Sequence, residues 1–257
     1  ELISGSSGSY TSDVIDTGVS NNWATLAWQP ERPTGKALPN NQVSELGYST
    51  GNANMNDNIV LYHFDESFGA FADGSGENNF GTEYGGVTYG VAGKLGGAIS
   101  LDGVDDRIYV DGSSTANFTD DFSMSLWLYV DDQIGNVKNI IDNYTGGDPG
   151  YGYLLWYVDN DSGLRFSVRR DIGGGVDQKT VVATIQKKQW AYVTITFSGD
   201  NMSIYLNGQS VSSLNLPDNY PLSTYNYPLV LGGEQSQSQN SYCFKGKMDE
   251  FSVWGRV

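Results

Sequence analysis

The 257-residue sequence has one cysteine, one histidine and 14 basic residues against 30 acidic ones. A single cysteine, Cys243, cannot form a disulfide within the chain, so stability must come from a buried core. No apolar run approaches the roughly 18 residues of a membrane helix, which argues against membrane insertion. The net charge of −16 opposes the binding of phosphate groups, so nucleic acid is a poor partner.

The carboxylates are unevenly divided, with 22 Asp against only 8 Glu, beside 21 Asn. Asp and Asn prefer turns and caps whereas Glu prefers helices, so the acidity lies mainly in loops. Loop carboxylates suit a hard cation such as calcium, which takes about six to eight oxygen ligands. They equally suit solubility, and both interpretations are open at this stage.

Apolar and polar residues alternate between clusters of Gly, Asn and Asp, while helical periodicity is scarce. Residues 122–130 place apolar side chains on one face and Trp127 and Tyr129 among serines on the other. Residues 190–197 alternate in the same way, and 202–207 ends at Asn207-Gly208, a strong hairpin signal. Further strands are predicted at 59–64, 97–102, 107–110, 152–158, 164–170, 228–231 and 248–254. Short strands in this number predict an all-β sandwich.

The first part of the chain has a different character. Two β-like stretches, around 10–15 and 23–28, precede closely spaced prolines and an Asn-rich run that ends at Asn58. Such a composition is typical of irregular chain. We therefore predict an N-terminal β-hairpin extension and linker over 1–57, packed on the sandwich, and a β domain over 58–257.

Seven phrases follow one another in order through the predicted β domain. They are LYHFDE (61–66), DGSGENNFG (73–81), GKLGGAISLDG (93–103), FSMSLWL (122–128), WAYV (190–193), IYLNG (204–208) and FKGKMDEFSVW (244–254). In this order the chain resembles bacterial laminin-G-like domains over about 59–254. The resemblance implies an all-β, concanavalin-A-like jelly-roll sandwich of two antiparallel sheets.

Members of that family bind glycans, proteins or calcium, and many are appended to enzymes, so the fold does not choose among these roles. Low cysteine with high Asp and Asn fits a bacterial surface protein. We expect an extracellular or cell-surface location, within a longer multidomain chain.

Asp65 and Asp249 are the first candidates for metal binding. The resemblance implies that the first and last family strands lie side by side, and that calcium often binds there through such carboxylates and backbone carbonyls. Asp102 is a third candidate. Turn or capping hydrogen bonds are the alternative role for all three.

Trp127 and Tyr129 are candidate ligand-binding residues, because sugar rings stack on aromatic planes that lie beside hydroxyl groups. They would place a ligand in the concave sheet. Packing beneath a covering loop is the alternative for both side chains.

The loop 143–153 combines aromatic residues, an acid and several glycines, which suits a rim that contacts a ligand. Its candidates are Asp148, Tyr151 and Tyr153, although turn chemistry explains the same composition. Arg169 could bind the carboxylate of an acidic sugar, or else pair with a neighbouring Asp. The loop 159–163 resembles a calcium loop only at its start, so a hairpin turn is expected there.

Catalysis has little support in the sequence. Retaining glycosidases on this fold require two carboxylates at alternate positions of one strand, and the sequence has no such strand. His63 is not accompanied by a Gly-x-Ser-x-Gly motif, which would place a nucleophilic serine on a sharp turn. We expect a non-catalytic, extracellular module that binds a glycan or a cell-surface protein and carries a structural calcium. The alternative is a spacer domain without a ligand.

Overall fold

The computed structural model describes residues 38–39, 55–110, 116, 118–119, 121–133, 135–144, 150–173, 175–217, 220, 222, 227–235 and 241–257. All of them belong to one compact unit, Gly35–Val257. The predicted extension over 1–57 lies outside these residues apart from 38–39 and 55–57, so its packing stays a prediction.

The described residues form β-strands and hold no α-helix. The strands are β1 Asn58–Tyr62, β2 Gly81–Tyr84, β3 Thr88–Ala92, β4 Gly97–Asp102, β5 Arg107–Val110, β6 Phe122–Val130, β7 Val137–Tyr144, β8 Gly152–Val158, β9 Gly163–Asp171, β10 Val176–Thr184, β11 Trp190–Ser198, β12 Asn201–Leu206, β13 Gln209–Asn215, β14 Leu229–Leu231 and β15 Lys245–Trp254. No helix long and apolar enough to cross a membrane occurs in this part of the chain.

Two antiparallel sheets contain these strands. The eight-stranded sheet has the order β13-β12-β11-β6-β15-β4-β3, with β1 also paired to β15. The seven-stranded sheet has the order β10-β9-β8-β7-β14-β5-β2. Neighbours that are distant in sequence, such as β6 and β15, give the crossovers of a jelly roll, so the predicted fold class is confirmed.

The last strand, β15, is central to the eight-stranded sheet. Along one edge its first half pairs with β4 and its second half pairs with β1, while the other edge pairs with β6. The register shifts between Asp249 and Ser252, where Glu250 has a φ of 50°. This bulge places Asp249 at the junction where β1 gives way to β4.

The core lies between the two sheets and follows the predicted alternation. On β6 the side chains of Phe122, Met124, Leu126, Leu128 and Val130 are all buried. The ring of Phe122 contacts Phe197 and Phe166 of neighbouring strands, at centroid distances of 5.6 and 6.2 Å. Burial of such rings from both sheets is the main source of stability.

Two predicted turns are confirmed. Asn207 and Gly208 have φ values of 51° and 79° between β12 and β13, the left-handed pair that a tight hairpin needs. A short 3-10 turn at Asp159–Asp161 joins β8 to β9 and ends at Ser162, whose φ is 52°. The loop 159–163 is therefore a hairpin turn.

Candidate functional site

A groove runs across the outer face of the seven-stranded sheet, with a cavity volume of about 570 Å³. Its floor comes from β7 to β10, whose side chains alternate between the core and this face. On β8, for example, Tyr157 faces the core while Trp156 faces the groove. The lining residues are Val137, Asn139, Asp142, Tyr144, Gly152, Leu154, Trp156, Ser167, Arg169, Gln178, Tyr227, Glu234, Gln235 and Tyr242.

A chain of side-chain hydrogen bonds orders the floor of the groove. The indole Nε1 of Trp156 donates to Ser167 Oγ at 3.2 Å, and Ser167 bonds to Thr180 Oγ1 at 2.9 Å. Gln178 Nε2 also donates to Thr180 Oγ1, at 3.0 Å, and Gln178 Oε1 accepts from Arg169 Nε at 2.5 Å. Three strands thus hold these polar groups in fixed positions.

Two tyrosines form an exposed aromatic rim. Tyr227 and Tyr242 are 37% and 39% exposed, and both line the groove. The carbonyl of Tyr227 accepts a hydrogen bond from Asn143 Nδ2 at 3.0 Å, which ties its backbone to β7. Exposed rings above a polar floor give a surface with apolar and hydrogen-bonding parts, as sugar ligands require.

Two carboxyl groups lie in the same groove. Burial raises the pKa of Asp142 to about 7, although its oxygens accept from Tyr144 N and Asn139 Nδ2, each at 2.8 Å. Burial likewise raises the pKa of Glu234, an effect that the charge of Arg107 opposes. Asp142 can therefore be buried in the groove without carrying its full negative charge near neutral pH.

Gly152 is the first residue of β8, at a point where this strand approaches β7 closely. Its φ is 115°, and a Cβ atom there would lie 2.0 Å from the carbonyl oxygen of Asn143. Only glycine permits this close approach of β8 to β7.

Trp127 and Tyr129 lie elsewhere, on the outer face of the eight-stranded sheet. Trp127 contacts Tyr192 at a ring distance of 5.2 Å, and the ammonium of Lys94 lies 5.0 Å from its centroid. Tyr129 contacts Trp190 at 5.7 Å. Both side chains are half-buried on this face, and their role as ligand-binding residues stays a prediction.

The remaining predicted ligand residues have different positions. Arg169 lines the groove, and Tyr151 is half-buried just before β8. Asp148 lies outside the described residues. Tyr153 is only 2% exposed, its hydroxyl donates to the carbonyl of Ala116 at 2.8 Å, and its ring packs on Phe122. Tyr153 is therefore a core residue, and its prediction as a rim residue is wrong.

The structure brings Asp65 and Asp249 to one turn, formed by residues 93–96 between β3 and β4 and by Gly97, the first residue of β4. Asp249 Oδ2 accepts from the backbone N–H groups of Lys94 and Leu95 at 2.6 and 2.8 Å. Asp65 Oδ1 accepts from Gly97 N at 2.5 Å. These are the turn hydrogen bonds of the alternative interpretation.

Asp249 nevertheless has an unused ligand atom. The residue is 0% exposed, and its Oδ1 is buried without a hydrogen-bond partner. Burial raises its pKa to about 7, with added repulsion from Glu250 and Asp65. An orphaned carboxylate oxygen beside a second carboxylate fits a hard cation such as calcium.

Asp102 does not join this pair. It is the last residue of β4, whereas Gly97, which bonds to Asp65, is the first. At about 3.4 Å per residue the two ends of β4 are roughly 17 Å apart, too far for one ion. The prediction that Asp102 shares a cation with Asp65 and Asp249 is wrong.

His63 is held by a neighbouring acid. Its Nδ1 lies 2.9 Å from an oxygen of Glu250, which is 5% exposed. Burial by itself lowers the pKa of His63, but the hydrogen bond and charge of Glu250, with Asp65 and Glu66, raise it above 6.5 overall. The contact with Glu250 gives His63 a structural role between the segment after β1 and strand β15.

Sequence analysis missed Trp156, Tyr227, Tyr242 and Asp142. In 152–158 both faces of the strand are apolar, so alternation alone does not tell which face is buried. The indole N–H of Trp156 is a polar donor, but Tyr153 and Tyr157 carry ring hydroxyls as well, so residue type alone does not single out Trp156.

Solved structures share the fold. The binding domain of botulinum neurotoxin serotype C1 aligns with a TM-score of 0.60 at 16% identity, covering 79% of this chain and 49% of that one. The binding domain of botulinum neurotoxin DC in complex with SialylT aligns with a TM-score of 0.59 at 16% identity, covering 79% and 48%. The same domain in complex with rat synaptotagmin II aligns with a TM-score of 0.60 at 14% identity, covering 79% and 49%.

The chain thus spans about half the length of these toxin domains. At such low identity the likeness shows the fold alone. No curated protein matches the chain. A laminin G family model, described as "Concanavalin A-like lectin/glucanases superfamily", matches residues 98–257. Because this match covers more than half of the chain, the protein belongs to that laminin-G-like family of the concanavalin A-like superfamily.

Proposed function

We propose that the protein is a non-catalytic, extracellular glycan-binding module whose ligand lies in the groove of the seven-stranded sheet. The observation that carries this proposal is the pair of exposed rings, Tyr227 and Tyr242, over an ordered polar floor. Sugar rings stack on such planes, and their hydroxyl groups bond to fixed donors and acceptors. The module would be one domain of a longer surface protein or of a multidomain enzyme.

The size and composition of the groove support the proposal. Small-molecule sites occupy about 300–1,000 Å³, and the cavity of about 570 Å³ lies within that range. Trp156 and Leu154 give it an apolar part, while Ser167 and Gln178 give it hydrogen-bonding groups. This mixture suits an oligosaccharide better than an apolar ligand.

The relatives support a binding role without choosing the ligand. Structures of the toxin domains are described in complex with SialylT and with rat synaptotagmin II, which are a sugar and a protein. A cell-surface protein is therefore the second class of partner for this chain.

The carboxyl groups of the groove support a binding role over catalysis. Both oxygens of Asp142 accept hydrogen bonds from its own strand, from Tyr144 N and Asn139 Nδ2. A general acid needs a carboxyl group that can reach the glycosidic oxygen. We therefore assign Asp142 to the support of the groove.

A structural calcium at Asp65 and Asp249 is part of the proposal. The two carboxylates face one turn, and the buried Oδ1 of Asp249 is available to an ion. When bound, calcium would neutralise the two charges and join the segment after β1 to β15 and to the turn between β3 and β4.

A glycan array with the full chain tests the binding site. We expect reproducible sugar binding that Tyr242→Ala and Trp156→Ala abolish. The matched control is Tyr205→Ala, which removes a half-buried tyrosine from β12 of the other sheet. Loss of binding with Trp127→Ala alone would indicate that the site lies on the eight-stranded sheet. An array without sugar binding would favour a spacer domain without a ligand.

A further inference from the structure

The turn between β4 and β5 carries three aspartates in five residues, Asp102, Asp105 and Asp106. One carboxylate oxygen from each lies within 4.8 Å of the others. Asp102 is exposed, Asp105 is half-buried and Asp106 is buried. Three negative groups at this distance repel each other, and a cation among them would relieve the repulsion.

Hydrogen bonds within the turn fix its shape. Asp102 N donates to Asp106 Oδ2 at 2.8 Å, and Val104 N donates to Asp102 Oδ1 at 2.7 Å. The carboxylates of Asp102 and Asp106 therefore occupy set positions before any ligand arrives.

Two glycines pack the turn against the rest of the sandwich. A Cβ atom on Gly85 would lie 2.5 Å from the carbonyl oxygen of Asp105, and one on Gly103 would lie 2.8 Å from Lys245 Cβ. Both glycines have positive φ, 93° and 79°. The turn is thus held from two sides and cannot easily separate its charges.

Asp106 is the residue that points to a ligand. It is only 2% exposed, and while its Oδ2 accepts from Asp102, its Oδ1 is buried without a hydrogen-bond partner. A buried carboxylate oxygen left unsatisfied is costly. The hydrogen bonds of the adjacent Arg107 include the carbonyls of Asp105 and Glu234, and Asp106 Oδ1 is not among its partners.

We propose that Asp102, Asp105 and Asp106 bind a calcium ion, separate from the one proposed at Asp65 and Asp249. All ligand atoms on offer are oxygens, which favours calcium over zinc. Calcium also tolerates irregular coordination, whereas magnesium requires near-octahedral geometry. Because β4 separates the two sites by roughly 17 Å, each can be tested by itself.

Calorimetric titration of calcium into the EDTA-treated full chain tests the site. The titration is done in an Asp249→Asn background, so that the first site does not contribute. We expect a binding event that Asp105→Asn weakens by at least about tenfold, because the charge of the ligand set decreases. Asp121→Asn, an exposed acid before β6, is the matched control and should leave the event unchanged.

Thermal unfolding gives a second measurement. At a hundredfold excess over Kd, calcium should raise the Tm by roughly 5–10 °C in the Asp249→Asn background, and magnesium should raise it less. Asp106→Asn should remove this gain. If that variant does not fold, Asp105→Asn decides the matter by itself. The proposal would be overturned if no calcium binding is observed, or if binding is unchanged in Asp105→Asn.

Discussion

The guanidinium of Arg169 lies over the ring of Tyr144, with its central carbon 4.7 Å from the ring centroid, and also donates a hydrogen bond to the Tyr144 hydroxyl. The same arginine donates to Gln178, so one side chain joins β7, β9 and β10. Planar stacking and several fixed donors are properties that lysine lacks.

Arg169→Lys should therefore weaken glycan binding in the proposed groove by about tenfold or more, because Tyr144 and Gln178 lose their shared partner. Isothermal titration with the best sugar from the array measures the change. Arg170→Lys is the matched control on the same strand, since Arg170 bonds to Asp177 and is not part of the groove lining. Equal losses in both variants would argue against a role for Arg169 in the groove.

Gly152→Ala should destabilise the fold by about 2–4 kcal/mol, since the new Cβ meets the Asn143 carbonyl at a φ that L-residues avoid. Urea denaturation measures the free energy of unfolding. Gly199→Ala serves as the control, because a Cβ there would meet nothing within 4 Å. If both variants unfold at the same urea concentration, the close contact of β7 and β8 is not needed for stability.

Asp142 should make the chelator-treated protein more stable at acidic pH. Its pKa rises from 3.8 to about 7 on folding, so the folded state binds an extra proton between these values. This contribution to stability is complete below pH 3.8 and is lost as the pH rises through about 7, at no more than about 1.4 kcal/mol per pH unit. Asp142→Asn should flatten the profile of unfolding free energy against pH, and Asp121→Asn should not. Parallel profiles for all three proteins would contradict the assignment.

Calcium at Asp65 and Asp249 should stabilise the folded chain by about 2.7 kcal/mol at a hundredfold excess over Kd. We would measure this gain by thermal unfolding in an Asp105→Asn background, where the other proposed site is weakened. Asp249→Asn should abolish it, while Asp159→Ala, in the 3-10 turn, should leave it intact. Equal stabilisation by magnesium at matched ionic strength would instead indicate general relief of the −16 charge.

Strands with one apolar and one polar face were predictable from sequence. In β6 and β11 every second residue is apolar, and these residues face the core as expected. Strand β13 was missed because it is a sheet edge whose residues are nearly all exposed, so it has no buried face to reveal it. Strand β7 was missed because both of its faces are largely buried, which removes the alternation.

The meeting of Asp65 and Asp249 was predictable because family resemblance placed the first and last strands together. The groove was not, because it combines loop residues with strand faces that only the register brings side by side. Asp142 and Leu154 are opposite each other, for example, through a bulge in β7. Asp102 was a candidate metal ligand from the sequence, but its grouping with Asp105 and Asp106 was not predicted, because the unsatisfied oxygen of Asp106 that indicates a ligand has no counterpart in composition or spacing.

The central position of β15 has a consequence for folding during synthesis. Strands β1, β4 and β6 each pair with β15, which the ribosome synthesises more than a hundred residues later. Until Lys245–Trp254 emerges, all three expose unpaired backbone edges, which can associate with other chains. Closure of this sheet is therefore a long-range step, and the nascent chain depends on β15 to become resistant to aggregation.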